Sequence, residues 1–200
     1  MAIWAIVPVK PFLRSKSRLA SVLTPQERAG LSREFLGHAL DVLSQVPAIT
    51  QTLVISRDPA ALALAHSRQA RTVTESGAPD LNSALQRATQ VVVASRAQGV
   101  LILPTDLPFL TAEDVGQLIA GGGEGPLVAI APDRHDDGTN ALFTSPPGLL
   151  NYAFGEHSFG KHLALAQAAG ARVRVCRLPG IALDVDGPED WRLYLSARKP

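Results

Sequence analysis

The chain has 200 residues, 46% of them hydrophobic, and its 19 basic and 18 acidic side chains leave a formal net charge of +1. That length can bury one core, and the near balance of charge excludes a broad electrostatic surface for nucleic acid, so an anionic ligand must be met locally. A lone cysteine, Cys176, excludes an internal disulfide, no apolar run reaches membrane-spanning length, and the N-terminus opens on strand-like residues without a basic region; these features predict a cytoplasmic protein with one domain, residues 1–200.

In chain order, residues 3–9 read as a buried strand running into a loop that carries Lys10, Arg14, Lys16 and Arg18. Four cations between a strand and a helix occupy the position where α/β folds hold phosphate, although a solvated basic loop has the same composition. Thr24, Pro25 and Glu27 supply an N-cap, a first-turn proline and an acidic third position. They predict a helix over about 25–45, with Leu31, Phe35, Ala39, Val42 and Val46 on its apolar period. A strand over 52–56, an alanine-rich helix opened by Asp58 and Pro59, a weak strand over 71–74 and a loop over 75–80 follow. The next helix opens at about Leu81, has Asn82 at its start, runs to about Ala97 and is closed by Gly99.

The stretch 101–110 is an aliphatic run that ends on one carboxylate, Asp106, held between Pro104 and Pro108. It reads as a buried parallel strand that delivers an acid to the edge where ligands bind. Asp106 could instead cap the next helix, but Thr111, with Asp114 three residues on, is better placed for that. That helix ends at the glycine run 121–123, and 127–131 is another buried strand. Six ionisable or amide side chains crowd the loop 132–140, either as part of a site or as a polar hairpin turn. Ser158 is available to cap a helix over 163–169 and to help hold an anion there, while His157 and His162 lack the cysteine or carboxylate partners that zinc would need. Near the end, Asp184 and Asp186 share one face if their segment is extended, and an amphipathic helix follows Pro188.

Alternating strands and helices predict an α/β fold with a mostly parallel sheet. One sheet edge would then gather Asp106, Asp186, Lys10 and Lys16, a set suited to a magnesium–nucleotide site because carboxylates hold the ion and ammonium groups meet the remaining phosphate charge. No P-loop and no GxGxxG is present.

Seven blocks in order carry a resemblance: 7–11 with 16–19, 81–85, 106–108, 131–135, 138–142, 158–159 with His162, and 183–186. Together they resemble the 2-phospho-L-lactate/phosphoenolpyruvate guanylyltransferase family over nearly the whole chain. The resemblance implies a single-domain, Rossmann-like fold of the nucleotide-diphospho-sugar-transferase type. It also implies transfer of GMP from GTP to a small phosphorylated carboxylic acid, with release of pyrophosphate, in coenzyme F-420 biosynthesis. Phosphoenolpyruvate is the acceptor expected first, with 2-phospho-L-lactate and 3-phosphoglycerate as alternatives. By the same resemblance Lys10, Lys16 and Asp106 are catalytic; Lys10, Lys16, Arg18, Gly77, Leu81 and Asn82 bind the nucleotide; Thr139, Gly155 and Ser158 bind the acceptor; and Asp106 and Asp186 hold Mg2+. Asp80, Asp136-Asp137 and Gly187 depart from the family pattern, where glycine, smaller residues and threonine are usual. A molybdenum-cofactor-type guanylyltransferase and a non-catalytic nucleotide-binding regulator remain as alternatives. No membrane or nucleic-acid partner is expected, and exposed apolar positions on the last helix leave a homodimer open.

Overall fold

Side chains alternate across a strand, and the first strand, Ile3–Val9 (β1), is apolar on both sides, so it has to lie inside the sheet with helices on each face. The computed structural model, which describes residues 1–77 and 80–198, shows this arrangement. The other strands among the described residues are Ile49–Ser56 (β2), Arg71–Thr74 (β3), Gly99–Ile102 (β4), Leu127–Pro132 (β5), Thr139–Ser145 (β6) and Arg172–Val175 (β7). They form a single sheet in the order β3-β2-β1-β4-β6-β5-β7. Only β6 runs against its neighbours, so the sheet is mostly parallel as predicted.

On one face Ile3, Ala5, Val7, Leu101 and Phe143 meet helices Pro25–Ser44 (α1), Pro59–Ser67 (α2) and Ala112–Ile119 (α4). On the other, Trp4, Ile6, Ile102 and Leu142 meet Leu81–Ala94 (α3) and Ser158–Ala168 (α5). A short helix Pro179–Ala182 (α6) and the terminal helix Pro188–Ala197 (α7) complete the chain. Burying a large aliphatic or aromatic side chain contributes roughly 1.5–3 kcal/mol, so these two layers carry most of the stability. The caps form as read: Thr24 Oγ1 accepts from Glu27 N at 3.3 Å while Glu27 accepts from Thr24 N, and Thr111 and Asp114 repeat the exchange at 3.1 and 3.0 Å.

Four boundaries differ from the sequence reading. β4 stops at Ile102, so Asp106 stands in the loop beyond the strand and not at its tip. β2 begins at Ile49, earlier than 52, because Ile49 and Gln51 already pair with β1. α3 stops at Ala94, and Gly99 opens β4 instead of closing the helix. α5 begins at Ser158, not at 163. In the predicted loop over 75–80, Ala78 and Pro79 lie outside the described residues. No described helix is long and apolar enough to cross a membrane.

Gly99 is there for space. A Cβ at this position would stand 2.7 and 2.8 Å from two ring atoms of the fully buried Phe143. Gly99→Ala is therefore expected to lower the unfolding free energy by about 1–3 kcal/mol. Chemical denaturation reads this, and an unchanged midpoint would show that the ring moves aside freely.

Candidate active site

β1, β4 and β5 end at one edge of the sheet, and β6, because it runs the other way, begins there. The chain steps outward from β1 to β2 and β3 and then returns to β4 on the opposite side of β1, so the strand order reverses between β1 and β4. Ligands bind outside carboxyl strand ends at such a reversal. Here lies a cleft of about 490 Å³. Lys10, Lys16, Arg18, Leu81, Asp106, Thr139, Gly155, Ser158 and Asp186 all line it, and so does Asp184.

The cations and acids are held by backbone as much as by charge. Lys16 sits at φ 50 and ψ 41, a left-handed conformation that costs a non-glycine residue on the order of 1–2 kcal/mol. Arg28 Nη1 offsets this by donating to the carbonyls of Ser15 at 3.2 Å and Lys16 at 3.5 Å, and Ser15 Oγ hydrogen-bonds Ser32 Oγ at 2.5 Å. The Lys16 side chain is only 7% exposed; Nζ donates to the Val185 carbonyl at 2.8 Å and stands 3.8 Å from Asp106 Oδ2 and 4.0 Å from Asp186 Oδ1. Val185 N–H in turn donates to the Asp106 carbonyl at 3.0 Å. The Val185 side chain packs with Leu19, Leu31, Phe35 and Tyr194, while its neighbours Asp184 and Asp186 line the cleft, the alternation expected of an extended segment.

Burial and like charge raise the proton affinity of Asp184 and Asp186. Burial, then the charges of Asp106 and Asp186, push Asp184 up to about 6. Asp186 is also raised, by burial and by Asp106, against the opposing pull of Lys16, Arg18 and Lys10. Among the described residues no group of three or more His, Cys, Asp or Glu is gathered closely enough to hold a metal ion by itself. Hard carboxylate oxygens sharing one cleft with a surplus of proton affinity fit the other mode of magnesium binding, in which one or two carboxylates and substrate phosphates complete the shell.

Across the cleft, Thr139 opens β6 and its Oγ1 lies 2.9 Å from Nδ1 of His162, a fully buried ring whose Nε2 is 3.0 Å from the Ala153 N–H. Gly155 has φ +126, a region essentially closed to residues with a Cβ, although nothing stands within 4 Å of where that atom would be. Ser158 is buried as the first residue of α5, so it is not the cap; His157, left-handed at φ 55, holds that place without a side-chain capping bond.

Two expected nucleotide residues lie outside the cleft lining. The Asn82 amide exchanges hydrogen bonds with the Phe154 backbone at 3.0 and 2.8 Å, which ties α3 to the segment leading to Gly155. Gly77, at φ +82, accepts from Arg57 through its carbonyl. In the polar loop 132–140 most of the crowded side chains have structural partners. Asp133 accepts three backbone N–H groups, Arg134 pairs with Asp190, Asp136 with Arg177, Asp137 with His157, and Asn140 donates to the Ile181 carbonyl. Sequence spacing marked Asp184 beside Asp186, whereas nothing local marked His162 as the partner of Thr139, since 23 residues separate them.

A family model described as "Guanylyl transferase CofC like" matches residues 3–195. Phosphoenolpyruvate guanylyltransferase of Rubrobacter xylanophilus is 42% identical over 190 residues, covering 95% of this chain and 92% of that one. 2-Phospho-L-lactate guanylyltransferase of Methanothermobacter thermautotrophicus is 34% identical over 186 residues, covering 93% and 81%. Among solved structures, a nucleotidyl transferase from Methanothermobacter superposes with a TM-score of 0.70 at 14% identity, covering 98% of this chain and 96% of that one, a likeness of fold.

His162 supplies a pH test of the site's packing. Burial holds its pKa down from 6.5 to about 4, so between those values the unfolded chain binds a proton that the folded chain refuses. Its contribution to stability is full above about pH 6.5 and is lost as pH falls toward about 4. Relative to wild type, His162→Asn should lose about 2–3 kcal/mol less stability between pH 7 and pH 4, measured by denaturant titration. Parallel pH profiles would show that the ring is not buried neutral.

Proposed function

The chain belongs to the CofC-like guanylyl transferase family, and from that premise and the geometry of the cleft we propose that it transfers GMP from GTP to the phosphate of a small phosphorylated carboxylic acid, phosphoenolpyruvate first, in coenzyme F-420 biosynthesis. The observation that carries the reading is that one cleft is lined both by Lys10, Lys16, Arg18, Asp106, Asp184 and Asp186 and by Thr139, Gly155 and Ser158.

In the proposed reaction a phosphate oxygen of the acceptor forms a bond to the α-phosphorus of GTP, the bond from that phosphorus to the β-phosphate bridge oxygen breaks, and pyrophosphate leaves. The attacking oxygen is already ionised near neutral pH, so no general base is required. Lys10 and Lys16 meet the charge that accumulates on the departing pyrophosphate, and Arg18 extends that cation row to the cleft mouth. Leu81, at the first turn of α3, lies where the nucleoside would rest, with Asn82 bracing it through Phe154. Thr139 and the start of α5 receive the acceptor's carboxylate. Asp106 and Asp186, with Asp184 beside them, would hold Mg2+, which when bound screens the repulsion between the two anions.

Strand order supports the division of labour. β4, which delivers Asp106, lies between β1, which delivers the lysines, and β6, which delivers Thr139, so the acids stand between nucleotide and acceptor. Support for phosphoenolpyruvate as the first acceptor is the name phosphoenolpyruvate guanylyltransferase carried by relatives at 31–42% identity, beside a 2-phospho-L-lactate guanylyltransferase at 34%, and a small pocket resolves that choice by only about 1–3 kcal/mol.

Two measurements test this. Offered GTP or ATP with equal amounts of phosphoenolpyruvate, 2-phospho-L-lactate and 3-phosphoglycerate, the protein should release pyrophosphate with GTP at least about tenfold faster and give mainly the phosphoenolpyruvate adduct by mass. Dominance of another acceptor would correct the substrate, and release with none would remove the reaction. Asp106→Asn should lower kcat/KM by about 100-fold or more. Because Asp106 is one of the charges that raise Asp184 and Asp186, the same variant should melt at the wild-type temperature or above; loss of activity accompanied by a lower melting temperature would make Asp106 structural.

A further inference from the structure

The hydrogen bonds around His162 fix more than the ring's position. A backbone N–H can only donate, so the Ala153 N–H, 3.0 Å from Nε2, requires that nitrogen to be the acceptor. The ring is neutral, so its proton is on Nδ1, the nitrogen 2.9 Å from Thr139 Oγ1. Thr139 Oγ1 is then the acceptor of that bond, and its own proton turns toward another partner. Thr139 lines the cleft and is otherwise buried, at 6% exposure. Phe154 packs edge-on against the imidazole with ring centroids 4.8 Å apart, which keeps the ring from turning over.

We propose that His162 is a positioning residue that biases the polarity of Thr139, keeping its hydroxyl proton free to donate to a negatively charged oxygen of the acceptor. A free threonine hydroxyl can donate or accept, so it discriminates weakly between an ionised oxygen and a neutral donor group. With one of its two lone pairs taken by His162 Nδ1–H, the Thr139 hydroxyl cannot spend its proton on the ring, so that proton is free for the cleft and favours ionised carboxylate or phosphate oxygens over groups that only donate. Burial that keeps the ring uncharged preserves this polarity at neutral pH. The inference rests on the acceptor side of the proposed reaction.

The test separates the ring's two bonds. The asparagine amide lies as many bonds from Cα as Nδ1, and the glutamine amide as many as Nε2. His162→Asn therefore keeps a donor for Thr139, and His162→Gln keeps an acceptor for Ala153. H162Q is expected to raise the acceptor KM roughly 10- to 100-fold, the value of a hydrogen bond to a charged group, with the GTP KM within about threefold of wild type. H162N should recover most of that loss. In a Thr139→Val background H162Q should add less than about threefold, because both changes remove one interaction. Equal rises in both KM values, or full additivity with Thr139→Val, overturn the proposal while the reaction stands. A wild-type protein that turns over no acceptor removes the reaction and this inference with it. Nitrogen-15 NMR of the wild-type histidine reads the tautomer without any turnover: a proton on Nδ1 is expected, and one on Nε2 overturns the assignment even if the variants fail to fold.

Discussion

The peptide unit of Val185 joins three segments that are distant in sequence. Its N–H holds the Asp106 carbonyl and its C=O holds the Lys16 ammonium, so the end of β4, the basic loop and the acidic C-terminal segment are fixed to one another. Charge attraction between partly solvated groups is worth about 0–1 kcal/mol and could not impose this register. Apolar burial can. Val185 sits between Asp184 and Asp186, Leu19 follows Lys16 by three residues, and both are fully buried against Phe35 and Tyr194. Each charged residue is thus carried into the cleft by an apolar neighbour that has somewhere to go.

What this places in the cleft is electrostatically costly. Burial, and after it the charge of neighbouring carboxylates, raises the proton affinity of Asp184 and Asp186, and Lys16 accepts a left-handed backbone to bring its ammonium among them. Strain and like charge concentrated in one place, in a chain whose helices α1 to α4 carry side-chain caps and whose core alternates regularly, is what a binding site looks like when its fold has been over-determined elsewhere. In the proposed reaction nucleotide phosphates would answer the cations and magnesium the acids, and neither alone would relieve both. That symmetry of need fits a bound metal–triphosphate better than a simple anion.

The fold was legible where local signals and burial agreed. β1, the capping boxes of α1 and α4, the central strand leading to Asp106 and the alternation of Asp184 with Asp186 follow from periodicity and cap chemistry within a few residues. It was less legible where distant contacts decide. α5 starts early because Phe159 N–H donates to the Asp137 carbonyl and because Phe159 and His162, one helical turn apart, are both buried, although Gly160 between them weakens the local helix preference. Ser158 read as a cap for the same reason. The crowded loop 132–140 read as a site or a turn and is part of the site, since Asp133, Asp137, Gly138, Thr139 and Asn140 line the cleft, but the ion pairs with Arg177, Asp190 and His157 that brace it cannot be seen from spacing. His162 belongs to that class as well.

The departures from the family pattern have the same character. Asp80, where glycine is usual, caps α3 by accepting from Ser83 N–H at 2.8 Å. Gly187, where threonine is usual, leaves the start of α7 to Asp190, which accepts the N–H groups of Asp186 at 3.1 Å and Gly187 at 2.6 Å. Asp136 and Asp137, in place of smaller residues, grip Arg177 and His157, the latter at 2.5 Å, and so clamp the turn before β6 onto the segment that carries Gly155 and Ser158. None of these residues replaces a lysine or an aspartate of the charged side of the cleft. Of the four, Asp137 bears on the acceptor side through His157, Asp136 holds Arg177, and Asp80 and Gly187 act at the starts of α3 and α7.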